Sequence, residues 1–176
     1  MDANSLIELY NNDWVEICRY QRLSEKFLNK YLDKLNWFEV TEHQKLSNQF
    51  IKTHYKLLDS YKLYIYQKLD TELLEFLNEK LNFGYTAWYN VSRYQILEES
   101  FILKYKDNLD FDVISQNQNL TETFIFNNTE LFSTWQRINC LLDRKIITKN
   151  SLQLPDPIYS FFYSSQALEI QAYHKI

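Results

Sequence analysis

Asn36-Trp37-Phe38-Glu39-Val40-Thr41-Glu42-His43-Gln44-Lys45-Leu46-Ser47-Asn48-Gln49-Phe50-Ile51 decides the fold, because the chain repeats it. Moved back 23 residues, its key positions read Asp13-Trp14, Ile17, Gln21, Leu23-Ser24 and Phe27-Leu28; moved forward 23, they read Asp59-Ser60, Leu63, Gln67, Leu69-Asp70 and Leu73-Leu74. Phe83 meets the next aromatic slot, Gly84-Tyr85-Thr86-Ala87 intervenes, and the register restarts at Trp88 with Val91, Gln95, Leu97 and Phe101-Ile102. Phe111, Ile114, Gln118, Leu120-Thr121 and Phe124-Ile125 make a fifth copy. Self-similarity at a short fixed period marks a repeat architecture, in which each copy is one supersecondary unit that stacks on its neighbours.

Each copy reads as two short helices. Asp or Asn before the large aromatic is a good N-cap, and the aromatic with the aliphatic residue three positions on makes one helical face. Ser24, Ser47, Asp70 and Thr121 then stand where a second helix needs its cap, and the apolar positions after them fall on one stripe. Helices this short are marginal alone, so stacking of neighbouring copies has to stabilise them. The expectation is an all-α, short, α-solenoid-like array of helix pairs. Residues 1–132 hold five repeats with an insertion at 84–87, and 133–176 hold degenerate repeats and an irregular C-terminal cap.

Composition agrees. A chain of 176 residues is one domain's worth, and it contains 1 Gly and 2 Pro against 14 Tyr, 12 Phe and 4 Trp. Strand-rich folds and phosphate-cradling loops need glycine in turns and at close backbone approaches, so Gly84 alone argues against both. The net charge is -4 with the signs interspersed, which excludes a basic nucleic-acid stripe and an acidic mimic. Cys18 and Cys140 are far apart and read as buried thiols of a reducing compartment. Met1-Asp2-Ala3-Asn4-Ser5 is not a basic leader, and no run reaches the roughly 18 apolar residues of a membrane span. A cytoplasmic protein with no membrane association is expected.

The recurring glutamines, Gln21, Gln44, Gln67, Gln95 and Gln118, sit where the first helix of each copy ends. Backbone groups left open where one helix stops and the next starts are their natural partners. The rival is a ladder that reads a ligand one copy at a time, as helical-repeat RNA binders read bases, but no basic residue accompanies each glutamine. Trp14, Trp37, Trp88 and Phe111 occupy the aromatic slot and read as structural.

Catalytic chemistry finds no foothold. His43 and His54 fall in slots held elsewhere by Tyr20, Tyr66 and Tyr94, or by Tyr31 and Tyr105, and so substitute for rings; His174 lies in the tail. Cys18 aligns near Thr41 and Ser92, a small-residue packing slot, which disfavours a zinc site. Glu98 and Glu99 are adjacent and point apart on a helix. There is no nucleophile elbow and no P-loop. No cofactor and no metal are expected, nor an enzymatic activity.

The run from Trp14 to Phe27 and its copies, above all Asn36 to Ile51, resemble a short tandem helical repeat found in proteins encoded by giant DNA viruses and by phages. The resemblance covers residues 13–132 and implies an interaction module without shared catalytic residues. Ser60, the insertion at 84–87 and the segment 133–176 depart from the pattern, and such departures are where an individual function is grafted. By this resemblance, a virus- or phage-encoded factor that engages and inhibits a host protein is expected, an anti-CRISPR-type inhibitor of a defence nuclease being one concrete form.

What remains is surface. Aromatic residues outside the repeat slots gather at Tyr61, Tyr64, Tyr85 and Tyr89, and at Tyr159, Phe161, Phe162 and Tyr163. Tyrosine offers large contact area with a polar tip and is enriched at protein interfaces. Tyr61, Tyr64, Tyr85 and Tyr89, with Arg93 beside them, are therefore the expected partner-binding surface. The expected partner is another protein, and a homo-oligomer is also compatible with a repeat array. Nucleic-acid association, with tyrosines stacking bases, is the competing class, and a structural virion component the third.

Overall fold

A computed structural model describes residues 3–132 and 134–147. The segment around Pro155 and Pro157, the cluster from Tyr159 to Tyr163, and His174 lie outside the described residues. Every regular element among the described residues is helical, so the fold is all-α. Each repeat contributes two helices: α2 (Trp14–Tyr20) and α3 (Glu25–Lys30), α4 (Trp37–His43) and α5 (Asn48–His54), α6 (Ser60–Tyr66) and α7 (Thr71–Leu81), α8 (Tyr85–Tyr94) and α9 (Glu99–Lys104), α10 (Phe111–Asn117) and α11 (Glu122–Asn127). α1 (Ala3–Leu9) precedes them, and a 3-10 turn (Thr129–Leu131) and α12 (Trp135–Asp143) follow.

Caps set the boundaries. The side chain of Asp13 accepts from Val15 N and Glu16 N, that of Asn36 from Glu39 N, that of Asp59 from Lys62 N and that of Asp110 from Asp112 N and Val113 N. Ser24, Ser47, Asp70 and Thr121 do the same for the second helices. Acceptor side chains at these positions satisfy N–H groups that a helix start leaves open. Where α7 ends, Asn82 takes the left-handed conformation (φ 49°) that glycine usually supplies, which is how a chain with one glycine still closes this helix.

The chain divides into two compact bodies at Gln95/Ile96. In the first, each leading helix packs on the leading helix of the next repeat: α2 on α4, α4 on α6 and α6 on α8, while α5 packs on α7. In the second, α10 packs on α12 and α11 on the 3-10 turn. The aliphatic slot of the leading helices (Ile17, Val40, Leu63, Val91 and Ile114) is 0% exposed throughout. The matching slot of the second helices (Leu28, Ile51, Leu74, Ile102 and Ile125) is at most 1% exposed, so the two stripes form the core of their respective bodies.

Rings fill the space between the helices of a repeat. Trp14 lies 5.3 Å from Tyr31, and Trp37 lies 6.3 Å from His54 in a stacked arrangement, so His54 takes the place of a tyrosine ring. His43 differs: its slot faces out, as Tyr20, Tyr66 and Tyr94 beside it in the register are 62%, 50% and 45% exposed. Its Nε2 stands 3.2 Å from Glu39 Oε2.

Candidate ligand-binding cleft

The glutamines tie each repeat to the one before it. Gln44 Oε1 accepts from Leu23 N (2.9 Å), and its Nε2 donates to the carbonyls of Cys18 (2.6 Å) and Gln21 (2.7 Å). Gln67 accepts from Leu46 N and donates to the carbonyls of Thr41 and Gln44, and Gln95 accepts from Leu69 N and donates to the carbonyls of Tyr64 and Gln67. In the second body Gln118 accepts from Leu97 N at 3.0 Å. The backbone groups served lie where one helix stops and the next starts, one repeat earlier than the glutamine itself. Each of these four side chains is at most 5% exposed, which removes them from any ligand-reading surface. Gln21 is only half-buried and its Nε2 donates to the Tyr10 hydroxyl.

A second inter-repeat rung is ionic. Arg19 donates from Nε and Nη2 to the buried carboxylate of Glu39 (2.9 and 2.7 Å), and Lys62 pairs with Glu42, each pair spanning 20 residues. The Arg19 guanidinium holds the Glu39 carboxyl below its usual range against the opposing effect of burial. Counted through the insertion, the next rung pairs Asn90 with Ile65, and Ile65 has no polar group to offer. Asn90 is 3% exposed, and among the described residues its Nδ2 is a buried nitrogen without a hydrogen-bond partner.

Asn90 is among the residues lining a cleft of about 260 Å³ between α6 and α8, walled by Ser60, Tyr61 and Tyr64 on one side and Tyr85 and Thr86 on the other. The cleft exists because two slots exchange sizes. Ser60 replaces the tryptophan of Trp14, Trp37 and Trp88, and Tyr64 replaces the small residue of Cys18, Thr41, Ser92 and Ser115. The Tyr64 ring turns into the core instead, 4.9 Å from Phe83, which is itself 5.3 Å from Trp88. The room a tryptophan would take at position 60 stays open. Three of the inserted residues, Tyr85, Thr86 and Ala87, are helical and lengthen α8 at its start, forming the other wall.

Four of the five residues expected at this surface are exposed or half-exposed on α6 and α8, and the fifth is a correction. Tyr61 and Tyr85 are 57% and 74% exposed, and Tyr85, Tyr89 and Arg93 form one stripe of α8 at a spacing of four. The Tyr85 and Tyr89 rings are 6.4 Å apart, and Arg93 Nη1 donates to the Tyr89 hydroxyl at 3.1 Å. Tyr64 is not a surface residue: it is 3% exposed, and burial pushes its phenol above the ordinary value. The sequence signal for this was the exchange itself: a tyrosine in a slot that otherwise holds a small residue, on a helix whose ring slot holds a serine. The sequence does not mark Asn90 as part of a cleft, because its slot (Glu16, Glu39, Lys62) looks like a solvated charge position until the pairing across repeats is known.

Cys18 is buried, and burial raises its thiol; Cys140 is half-buried with Sγ 3.4 Å from the Ser115 carbonyl. No three His, Cys, Asp or Glu side chains converge as a metal site among the described residues, and none of the described helices is long and apolar enough to cross a membrane. No family model, curated protein or solved structure is detectably similar to the chain.

Proposed function

We propose that this chain is a non-enzymatic binding module that recognises another protein through the face formed by Tyr61, Tyr85, Tyr89 and Arg93. The observation that carries it is the pair of exposed tyrosines flanking a cleft that holds an unpaired amide. Rigid aromatic side chains around a pocket, with an arginine at the margin, are the composition of protein-interaction hot spots. Two cations of the leading helices are already paired, Arg19 with Glu39 and Lys62 with Glu42. That favours a protein over a nucleic-acid backbone, whose binding rests on free positive charge. The resemblance to viral and phage repeats extends the proposal to a host protein that is engaged and inhibited in the cytoplasm.

Affinity purification of the tagged chain tests it. A stoichiometric protein partner should be captured, and Tyr61→Ala/Tyr85→Ala/Tyr89→Ala should abolish capture while leaving the helical circular dichroism intact. Unchanged capture by the triple variant overturns the assignment of the face. Micromolar binding to RNA or DNA with a steep salt slope overturns the class.

A further inference from the structure

We infer that the cleft between α6 and α8 is an anchor pocket for one aromatic side chain of the partner protein, with a main-chain carbonyl beside that side chain accepting from Asn90 Nδ2. This rests on the protein-binding proposal and specifies its chemistry. Four features converge on it. The first is size: a cavity of roughly 150 Å³ suffices for a benzene-sized ring, so the cleft's about 260 Å³ takes a ring together with an attached amide. The second is the wall, since the exposed tyrosines Tyr61 and Tyr85 are among its lining residues, and offset or edge-to-face pairing favours an aromatic guest over an aliphatic one.

The third is the orphan. A buried amide donor with no partner is costly, and every other rung of the ladder described above meets its requirement within the protein. Here the register places Ile65 opposite, which offers no acceptor, so the amide is left for a group that enters the cleft. The fourth is charge: none of the residues lining the cleft is ionic, and a neutral guest with a carbonyl matches that lining better than a phosphate-bearing one. Gly84, one of the lining residues, leaves open space where a side chain would begin.

The test uses the full chain labelled with nitrogen-15 and titrated with N-acetyl-L-tyrosinamide and N-acetyl-L-phenylalaninamide, with N-acetyl-L-leucinamide and uridine as comparators. The side-chain amide resonances of Asn90 should shift saturably, with Kd on the order of 1–10 mM for fragments this small and the leucine analogue about 5-fold weaker. Ser60→Trp/Tyr64→Thr recreates the Trp37 and Thr41 pair of the second repeat and should fill the cleft and abolish the shift. Tyr85→Ala removes only an exposed ring, leaves the core untouched, and should weaken binding about 3- to 10-fold.

Absence of a saturable Asn90 shift with both aromatic amides overturns the inference, as does an undiminished shift in the filled variant. Tighter binding of uridine than of the aromatic amides reassigns the cleft to nucleobases and overturns it too. Probe failure combined with partner capture that depends on Tyr61, Tyr85 and Tyr89 overturns the anchor pocket alone. Probe binding without any captured protein overturns the proposed function alone.

Discussion

Gln67 donates from Nε2 to the main-chain carbonyl of Gln44 at 2.7 Å, as Gln44 donates to that of Gln21 at the same distance. Each glutamine thus closes the helix end of its predecessor and hands its own carbonyl to its successor. Gln67→Ala leaves Leu46 N–H and the Thr41 and Gln44 carbonyls without these partners inside the core. The expected loss is about 2–4 kcal/mol. Gln21→Ala, at the half-buried start of the ladder, should lose under about 1 kcal/mol. Urea midpoints of the two variants measure the contrast, and equal losses would contradict a ladder whose weight lies in buried rungs.

Much of this was legible in the residues. The period, the capping residues and the apolar stripes are local features, and local geometry realises them: Asp13, Asn36, Asp59 and Asp110 all cap as their chemistry requires. What could not be read was which neighbour each side chain serves. That Gln44 bonds backbone groups where one helix stops and the next starts is legible; that those groups belong to the preceding repeat is not, because the offset between stacked repeats is a tertiary quantity. The same offset hid Asn90. Tyr64 reads as a surface residue for a different reason, since a tyrosine in a small-residue slot looks like surplus until the serine in the ring slot of the same helix is set beside it.

The Arg19–Glu39 rung makes stability acid-sensitive. Because the folded state holds the Glu39 carboxyl below its ordinary value, the contribution is complete above that value and fades as pH falls through it toward the lower folded one. Arg19 is partly exposed (37%), so solvent screening keeps the contribution of the pair small. The urea midpoint of the native chain should fall more steeply than that of Glu39→Gln between roughly pH 5 and 3. Parallel curves would show that the pair contributes nothing to the native state.

Tyr64 imposes the opposite limit. Burial raises its phenol, so the folded state resists ionisation, and the neutral ring's contribution is complete below the ordinary tyrosine value and lost as pH rises through it. The native chain should lose stability from about pH 10 upward, where unfolding releases a phenol that then ionises. Tyr64→Phe keeps the ring against Phe83 and should flatten that alkaline limb. Tyr64→Ala instead opens a cavity beside Phe83 and should lose about 3–4 kcal/mol at neutral pH.

Gly84 is where the chain can be improved without touching a contact. It is the N-cap of α8 with φ -81° and ψ 178°, a conformation open to any residue, and it makes no side-chain cap bond, unlike the aspartates and asparagine that begin α2, α4, α6 and α10. A Cβ placed there meets nothing within 4 Å. Gly84→Ser should add a hydroxyl acceptor for the open N–H groups of the first turn and restrict the unfolded chain, raising stability by about 0.3–0.8 kcal/mol. Gly84→Ala, which restricts the unfolded chain but cannot cap, separates the two contributions. If both variants lower the thermal midpoint, the start of α8 is strained in a way its dihedral angles do not reveal, and the wall of the cleft would have to be redrawn with it.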